Sequence, residues 1–369
     1  MKKRYLFALI FLIIVAILFF KFKDYKIVDF DKKEIALNSN FIKAKSLNLK
    51  PQNLNRFLKL DKFLFPEAQK ATDKFLRTHS LLIAQGNEIL FEKYTHDFKP
   101  KDYQQAWSMT KSIFSLITMK AIENQDISLN DSICKYLQTT PNKCAIKIEH
   151  LLSWSSGLKW QEKYEEDLIN SNVIQMLYGP GRKNMGQFSL NFPLKDKPGE
   201  KVRYSSGDSN LLSLVLRKAL GSVKYNQYYN DFLSHFKLNS THIDQDHSGS
   251  FVASSYLFSS PRDLFKISQS LLQQNTQYIN AKNLKHLWTA YKPSSIKEKN
   301  TPLRSWWRVD FIDPQDNQLT PAYCASGHWG QFWAIVPKHG ITIVRFANDR
   351  QLEANANKII ELSLEGILQ

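Results

Sequence analysis

Two pairs of predicted strands, one at each end of the main body of the chain, place the strongest limit on its fold. The first pair covers residues 79–94 and turns at Gly86-Asn87, and the second covers residues 331–347 and turns at 337–340. A final amphipathic helix is predicted from about Leu352 to Leu368, and further helical patterns lie between the two pairs. A sheet closed by both ends of the chain, with a helical insertion, belongs to the α+β class.

Between the strand pairs, the stretch Trp107-Ser108-Met109-Thr110-Lys111 begins a predicted helix with one buried face. A separation of three residues places Ser108 and Lys111 on the same side of that helix, one turn apart. A desolvated lysine with a lowered pKa can take the proton of a serine hydroxyl and make it a nucleophile. The Ser108 amide, at the helix start, could also donate to an oxyanion. The alternative is an N-cap serine followed by a chance lysine, since Ser-x-x-Lys is a common short motif.

A second polar stretch covers residues 198–208 and contains Tyr204-Ser205-Ser206. It precedes a helix that we predict from Asn210 to Leu220, with Gly221 as its C-cap. A tyrosine beside a serine–lysine pair can carry a proton as a phenolate, provided that nearby cations lower its pKa from about 10. The alternative is a half-buried aromatic residue that precedes an N-cap serine.

A third stretch, residues 326–331, reads Ser-Gly-His-Trp-Gly-Gln, and we predict that it lies on the innermost C-terminal strand. Gly330 would let a substrate acyl group lie close to the backbone, and the Gln331 amide could be a second oxyanion donor. His328 could hold a substrate carboxylate or assist proton transfer. The alternative is a glycine-marked turn that leads into a strand.

Together the three stretches resemble the serine β-lactamase and penicillin-binding-protein superfamily, in particular its class-C-like serine hydrolases. Residues 122–131 are similar to the turn after the catalytic helix of that family, and residues 146–158 to its Ile-x-His-Leu-Leu-Ser-His-Thr-Ser-Gly-Leu segment. The resemblance covers roughly residues 72–369, with motifs in the same order and at the same spacing. It implies an antiparallel sheet flanked by helices, an all-helical lobe, and an active site between them.

The resemblance also implies a role for each matched residue. Ser108 would be the acyl-accepting nucleophile, and Lys111 and Tyr204 would form the proton-transfer pair. The backbone amides of Ser108 and Gln331 would form the oxyanion hole. This chemistry requires no metal and no cofactor, and its partner is a small-molecule ester or amide.

Two departures from the family pattern bear on the substrate. Ser206 stands where β-lactamases carry the asparagine of Tyr-x-Asn, and His328-Trp329-Gly330 stands where they carry Lys-Thr-Gly. The Tyr-Ser-Ser-Gly-Asp form and the Gly-Gln ending are more similar to esterases and to amidases of the 6-aminohexanoate-dimer hydrolase type. We therefore expect an esterase or amidase. The alternatives are a β-lactamase or D-Ala-D-Ala peptidase-like enzyme acting on penicillins or cell-wall peptides, and a catalytically idle cell-wall or partner-binding module.

The N-terminus is predicted to be a signal anchor covering residues 1–25. Three basic residues precede an uncharged apolar run from Tyr5 to Phe20, and no small-x-small cleavage site follows it. We expect a single-pass membrane protein whose catalytic domain is periplasmic or extracellular. The alternative is a cleaved signal peptide with an unusual site. Residues 26–71 are predicted to be a linker and a leading helix, and residues 72–369 the hydrolase domain.

Export affects how the cysteines and the charge are interpreted. In an oxidising compartment Cys134 and Cys144 could form a local disulfide, whereas Cys324 is predicted to be a buried strand residue. The net charge of +16 would suit nucleic-acid binding. No nucleic-acid motif is present, however, and part of the excess charge lies around the anchor. We expect no nucleic-acid partner, but a basic surface near anionic envelope polymers or lipid headgroups.

Two further polar groups imitate functional sites. Residues 166–170 resemble the glutamate loop of class A β-lactamases in sequence. In class A enzymes that loop comes after the second motif, whereas this stretch comes before the second motif of this chain at Tyr204. We therefore predict a solvated helix here. Four potential metal ligands lie close together in a polar loop, where we predict ordinary surface polarity because the mechanism needs no metal. They are His242, Asp244, Asp246 and His247.

Overall fold

The structure is a computed structural model that describes residues 45–46, 55–66, 77–95, 97–164, 170–273, 278–291, 300–349 and 354–368. The predicted signal anchor, most of the linker and all but the last residue of the 166–170 stretch lie outside these residues. Within the described ranges, no helix is both long enough and apolar enough to cross a bilayer.

The described residues form eleven strands. In chain order they are β1 (Lys45–Ser46), β2 (Thr78–Gln85), β3 (Glu88–Tyr94), β4 (Gln104–Gln105), β5 (Thr241–Ile243), β6 (Leu257–Ser259), β7 (Thr301–Pro302), β8 (Trp307–Ile312), β9 (Leu319–Gly327), β10 (Gln331–Val336) and β11 (Ile341–Ala347). Eight of them form an antiparallel sheet in the order β1-β3-β2-β11-β10-β9-β8-β7, and the other three form a small sheet in the order β4-β6-β5.

Nine α-helices lie in the same described ranges. They are α1 (Leu58–Leu64), α2 (Met109–Glu123), α3 (Ile148–Leu152), α4 (Asn172–Leu177), α5 (Met185–Leu190), α6 (Ser206–His235), α7 (Pro261–Leu272), α8 (Ala281–Leu287) and α9 (Ala356–Leu368). The helices α3 to α6 lie in the chain between α2 and the return to the sheet, and they form the helical lobe.

The predicted closure of the sheet by the two ends of the chain is confirmed. β11 pairs with β2 in antiparallel register from Ile341 opposite Gln85 onward, and both predicted strand pairs are present. The central strands β10 and β11 are buried along their whole length. One face packs on α1 and α9 through residues such as Leu60 and Ile360, and the other packs on α2 and α7 through residues such as Ile113. Burial on both faces explains why these strands are mostly apolar rather than alternating, with Arg345 as the buried charge of β11.

Two helix predictions are corrected by the structure, and a third is confirmed in part. Almost every residue of α2 is buried, including Thr110 and Ser115, so the helix is enclosed on all sides and not only on one face. α6 begins at Ser206, four residues before the predicted start, and its N-cap is Ser205, whose Oγ accepts a hydrogen bond from Asp208 N at 2.9 Å. The predicted end at Leu220 is confirmed for the first helical segment of α6, because Gly221 is non-helical with φ 72° and ψ 157°, but a second segment then continues α6 to His235.

The cysteines and the polar loop complete the description. A disulfide joins Cys134 to Cys144 in the segment between α2 and α3, and Cys324 is buried in β9 as predicted. The prediction of surface polarity is wrong for Asp246, which is buried and accepts hydrogen bonds from the backbone of Met185 and from Ser248. Its carboxylate therefore shapes the loop. The described residues contain no group of three or more potential metal ligands.

Candidate active site

Ser108 is the N-cap residue of α2, directly before the first helical turn. The preceding Trp107 has a positive φ of 48°, a left-handed conformation that residues other than glycine rarely adopt. Thr110 holds this turn, because its Oγ1 donates to Trp107 O and accepts from Leu257 N at 3.0 Å. Backbone strain of this kind persists only where the surrounding structure enforces it, and it often marks a functional site.

Lys111 lies one turn along α2, and its side chain reaches back to Ser108. Its Nζ hydrogen-bonds Ser108 Oγ at 2.9 Å and donates to Ser206 Oγ at 3.1 Å and to Ser254 O at 2.9 Å. The residue is 2% exposed. Burial lowers the pKa of Lys111 to about 7, although the negative charge of Glu162 opposes this shift. The amine can therefore be neutral, and act as a base, near neutral pH.

Tyr204 lies on the other side of the serine–lysine pair. Its hydroxyl hydrogen-bonds Ser108, and its ring centroid lies 4.7 Å from Lys111 Nζ. The ring packs edge-on against Trp154, with centroids 4.8 Å apart, and stacks on Trp307 at 5.8 Å. Burial raises the pKa of Tyr204 well above its usual value of about 10, so the prediction of a lowered pKa and a phenolate is wrong. Tyr204 therefore stays a neutral phenol near neutral pH, and of the two groups Lys111 is the one that can lose its proton there.

Glu162 is a site residue that the sequence analysis missed. Its Oε1 accepts hydrogen bonds from Ser206 Oγ at 2.5 Å and Tyr164 OH at 2.7 Å. Its Oε2 accepts from Ser206 N at 2.9 Å and Trp160 Nε1 at 2.5 Å. The only available signal was an acidic residue between aromatic residues, directly after the family-like segment. The true carboxylate of the site thus lies four residues before the stretch that imitates the class A glutamate loop.

The third stretch covers the last two residues of β9, the turn that follows and the first residue of β10, so only part of it lies on a strand as predicted. Residues 328–330 make a short 3₁₀ turn in which Trp329 has a φ of 60°. The His328 ring stacks on Tyr164, with centroids 4.8 Å apart, and meets the edge of Trp107 at 5.5 Å. These contacts place the turn beside the residue that precedes Ser108.

The structural reason for Gly330 differs from the predicted one. A Cβ at this position would overlap Asp349 Oδ2 and Arg345 Nη1, so the space beside the backbone is already filled by protein. Arg345 and Asp349 form a fully buried ion pair at 2.7 Å, and Arg345 Nη1 also donates to Gly330 O at 2.9 Å. Gly330 has a φ of 87° and is required by this ion pair and by its own backbone conformation. The close approach of a substrate acyl group to this backbone stays a prediction.

Gln331 is the first residue of β10, and its side chain is fully engaged with backbone. Nε2 donates to His328 O at 2.8 Å and Ala347 O at 2.7 Å, while Oε1 accepts from Ala347 N at 2.9 Å. The side chain therefore ties the turn to β11. The oxyanion role predicted for the backbone amide of Gln331 stays a prediction.

Comparisons with known proteins agree with this geometry. The Beta-lactamase family model matches residues 68–365. Similar structures include an octameric penicillin-binding protein homologue from Pyrococcus abyssi, with 20% identity, a TM-score of 0.66, and coverage of 83% of this chain and 76% of that one. A candidate 6-aminohexanoate-dimer hydrolase from Bacillus anthracis has 18% identity, a TM-score of 0.64 and coverage of 94% and 95%.

A third similar structure is EstCE1, a hydrolase with promiscuous acyltransferase activity. It has 15% identity, a TM-score of 0.65, and coverage of 86% of this chain and 99% of that one. No curated protein matches the sequence significantly. Because the family model matches most of the chain, and the fold is that of its serine hydrolases, this chain belongs to the Beta-lactamase family.

Proposed function

We propose that this protein is an exported serine hydrolase that cleaves an ester or amide bond through an acyl-enzyme on Ser108. The observation that carries the proposal is the 2.9 Å contact between Ser108 Oγ and Lys111 Nζ. Lys111 is buried, and its pKa of about 7 makes it a usable base at physiological pH. A module that only binds a partner has no physical need to bury a lysine beside a serine at the cost of desolvation.

The acylation step follows from these positions. Neutral Lys111 takes the hydroxyl proton of Ser108 as Oγ attacks the carbonyl carbon of the substrate. The oxyanion lies at the start of α2, where the backbone amide of Ser108 and the helix dipole stabilise it, with the Gln331 amide as second donor. Tyr204, a neutral phenol, gives a proton to the leaving alcohol or amine and is reprotonated from Lys111. Free Lys111 is thereby restored.

Deacylation uses the same groups with water as the nucleophile. Lys111 takes a proton from the water, the hydroxide adds to the acyl carbon, and Ser108 leaves and regains its proton from Lys111. The products are the free enzyme and a carboxylic acid. Positioned acid–base groups of this kind contribute roughly 10²- to 10⁴-fold to a rate.

The ester or amide preference rests on Ser206 and His328. Ser206 Oγ is already bonded to Lys111 and to Glu162, so it does not serve a substrate side chain as an amide would. His328 packs between Tyr164 and Trp107 and lacks the permanent charge of a lysine. Both features reduce the recognition of the carboxylate and the acyl side chain of a penicillin.

Export and membrane attachment form part of the proposal. The disulfide between Cys134 and Cys144 supports export, because such bonds persist in oxidising compartments. The basic and apolar first 25 residues support a membrane anchor that leaves the catalytic domain outside the cytoplasm.

A membrane-impermeant fluorophosphonate probe tests the proposal on the full-length protein in spheroplasts. We expect labelling of intact spheroplasts, with the label on the peptide that contains Ser108. Ser108→Ala should abolish both the labelling and the hydrolysis of short p-nitrophenyl esters. Ser222→Ala, an exposed serine in α6, should behave as wild type and is the matched control. Labelling or hydrolysis that persists in Ser108→Ala would overturn the nucleophile, and labelling that appears only after lysis would overturn the location.

A further inference from the structure

A chain of hydrogen bonds runs from the nucleophile to a carboxylate that the mechanism above does not use. Lys111 Nζ contacts Ser108 Oγ at 2.9 Å and Ser206 Oγ at 3.1 Å, and Ser206 Oγ donates to Glu162 Oε1 at 2.5 Å. Ser206 is fully buried, so water does not replace these contacts. Glu162 is thus connected to the base through one hydroxyl group.

The chemistry of the groups gives this chain a direction. A carboxylate can only accept hydrogen bonds, and a serine hydroxyl has one proton to donate. Because Ser206 donates that proton to Glu162, only its lone pairs face Lys111. The carbonyl oxygen of Ser254, 2.9 Å from Lys111 Nζ, is likewise only an acceptor. Two of the three groups around the amine therefore require an N–H.

This pattern matches a neutral amine, which has two N–H bonds and one lone pair. When the N–H bonds point at Ser206 and Ser254, the lone pair points at the third neighbour, the hydroxyl of Ser108. If Ser206 instead donated its proton to Lys111, the lone pair would be used there and could not take the Ser108 proton. The direction of the Ser206 hydroxyl therefore decides whether the lone pair of Lys111 points at the Ser108 hydroxyl.

The Glu162 carboxylate is held in the one orientation that sets this direction. Its four acceptor positions are met by the Ser206 hydroxyl and amide, by Trp160 Nε1 and by Tyr164 OH. Charge-assisted hydrogen bonds of this kind are about twice as strong as neutral ones. A glutamine at position 162 would place its NH₂ group either against the Ser206 amide and Trp160 Nε1, which can only donate, or against the Ser206 and Tyr164 hydroxyls, which would then have to accept. Either orientation loses the present arrangement, which therefore depends on the carboxylate.

We propose that Glu162, acting through Ser206, is a positioning residue that directs the lone pair of Lys111 at Ser108. The inference rests on the proposed serine-hydrolase function and adds a residue to it. No covalent step passes through Glu162. Its charge has a second effect, because it opposes the lowering of the Lys111 pKa by burial.

The test compares Glu162→Gln and Ser206→Ala with wild type, by measuring kcat and kcat/KM for a p-nitrophenyl ester from pH 5 to 9. In wild type, kcat/KM should rise with pH through about 7, because the lysine must lose its proton to act as a base. Glu162→Gln should lower the maximal kcat roughly 10- to 100-fold, within the range for general acid–base help. Its ascending limb should also move to lower pH, because the charge that raises the Lys111 pKa is gone. A residue with a merely structural role would not move that limb.

Ser206→Ala removes the hydroxyl that connects Glu162 to Lys111 but keeps the carboxylate of Glu162. It should therefore lower kcat by a factor similar to that of Glu162→Gln. The double variant should lose little more than either single one, since groups that act as a unit are not additive. Glu123→Gln is the matched control, because this glutamate lies at the far end of α2 and bonds Asn280 N and Asn283. It should keep both the wild-type kcat and the wild-type pH profile.

The outcomes separate this inference from the proposed function. A wild-type enzyme with no ester hydrolysis and no labelling of Ser108 would remove the proposed function and the inference with it. An active wild type with wild-type kcat and pH profile in Glu162→Gln would overturn only the inference. If thermal unfolding shows that Glu162→Gln has lost its fold, Ser206→Ala decides alone. Unchanged kcat in that variant would then refute the positioning role.

Discussion

The two sides of the active site are built from different kinds of interaction. On the side of α2 and the helical lobe, Ser108, Lys111, Ser206 and Glu162 are connected by hydrogen bonds between side chains. On the sheet side, the backbone of the turn at residues 328–330 accepts hydrogen bonds from the buried side chains of Arg345 and Gln331. One side carries groups that gain and lose protons, and the other carries a backbone shape.

This difference predicts which property a substitution changes. Removing a proton-transfer group should reduce the rate and leave the fold in place. Burying the Lys111 amine costs desolvation free energy, so its removal takes away an unfavourable contribution to stability. Removing one member of the Arg345–Asp349 pair should reduce stability. The pair is fully buried, so water cannot solvate the charge that is left without its partner. The two sides can therefore be separated by measuring rate and stability on the same variants.

The largest effect on rate is expected from the acid–base side. Lys111→Ala and Tyr204→Phe should each lower kcat by roughly two to four orders of magnitude. The double variant should be far from multiplicative, because the two groups act together. Stopped assays with an active ester measure the rates, and Lys120→Ala on the same helix is the control. Near-normal turnover in either single variant would show that the proton-transfer scheme is wrong.

The largest effect on stability is expected from the sheet side. Asp349→Ala leaves Arg345 buried without a counter-charge and should cost about 3–5 kcal/mol of unfolding free energy. Denaturant unfolding measures this loss. Glu365→Ala removes the partner of Lys59 in an exposed ion pair and should cost no more than about 1 kcal/mol. Equal losses in the two variants would contradict the role given to the buried pair.

A smaller effect concerns the preference for one substrate over another. It depends on both sides of the site, through His328 on the sheet side and Ser206 on the acid–base side. With His328 in place of a lysine, the site lacks a charge-assisted hydrogen bond to the carboxylate of a penicillin. Such a bond contributes about 1.5–3 kcal/mol, which corresponds to roughly ten- to more than hundredfold in affinity. We therefore expect kcat/KM for a short-chain p-nitrophenyl ester to exceed that for nitrocefin at least about a hundredfold at pH 7.5. His328→Lys should narrow this gap. Nitrocefin hydrolysis equal to or faster than ester hydrolysis would favour the β-lactamase alternative.

The parts of the protein that sequence predicted best depend on neighbours in the chain. The serine–lysine contact follows from a separation of three residues in a helix, and the two strand pairs follow from apolar runs around turns. The order of the motifs then indicated the family and its fold. These features are visible because helical and strand periodicity are properties of short stretches.

The parts that sequence could not predict depend on residues that are distant in the chain. Glu162 meets Ser206 across 44 residues, and no periodicity marks either one as the partner of the other. Tyr204 has a raised pKa because distant parts of the chain bury it, whereas the sequence prediction required nearby cations to lower that pKa. Gly330 is marked in the sequence only as a glycine, and the ion pair of Arg345 and Asp349 that fills the position of its missing Cβ lies 15 to 19 residues further along the chain.

The sequence alone thus determined the nucleophile and base as candidates, the strands that close the sheet, and the family. Only the tertiary structure decided the directions of the Lys111 and Tyr204 pKa shifts, the carboxylate that bonds Ser206, and the ion pair behind the glycine turn. The physical reason is that spacing along a helix or strand is set by local backbone geometry. Desolvation and hydrogen-bond direction, by contrast, are set by whichever distant residues the fold brings into contact.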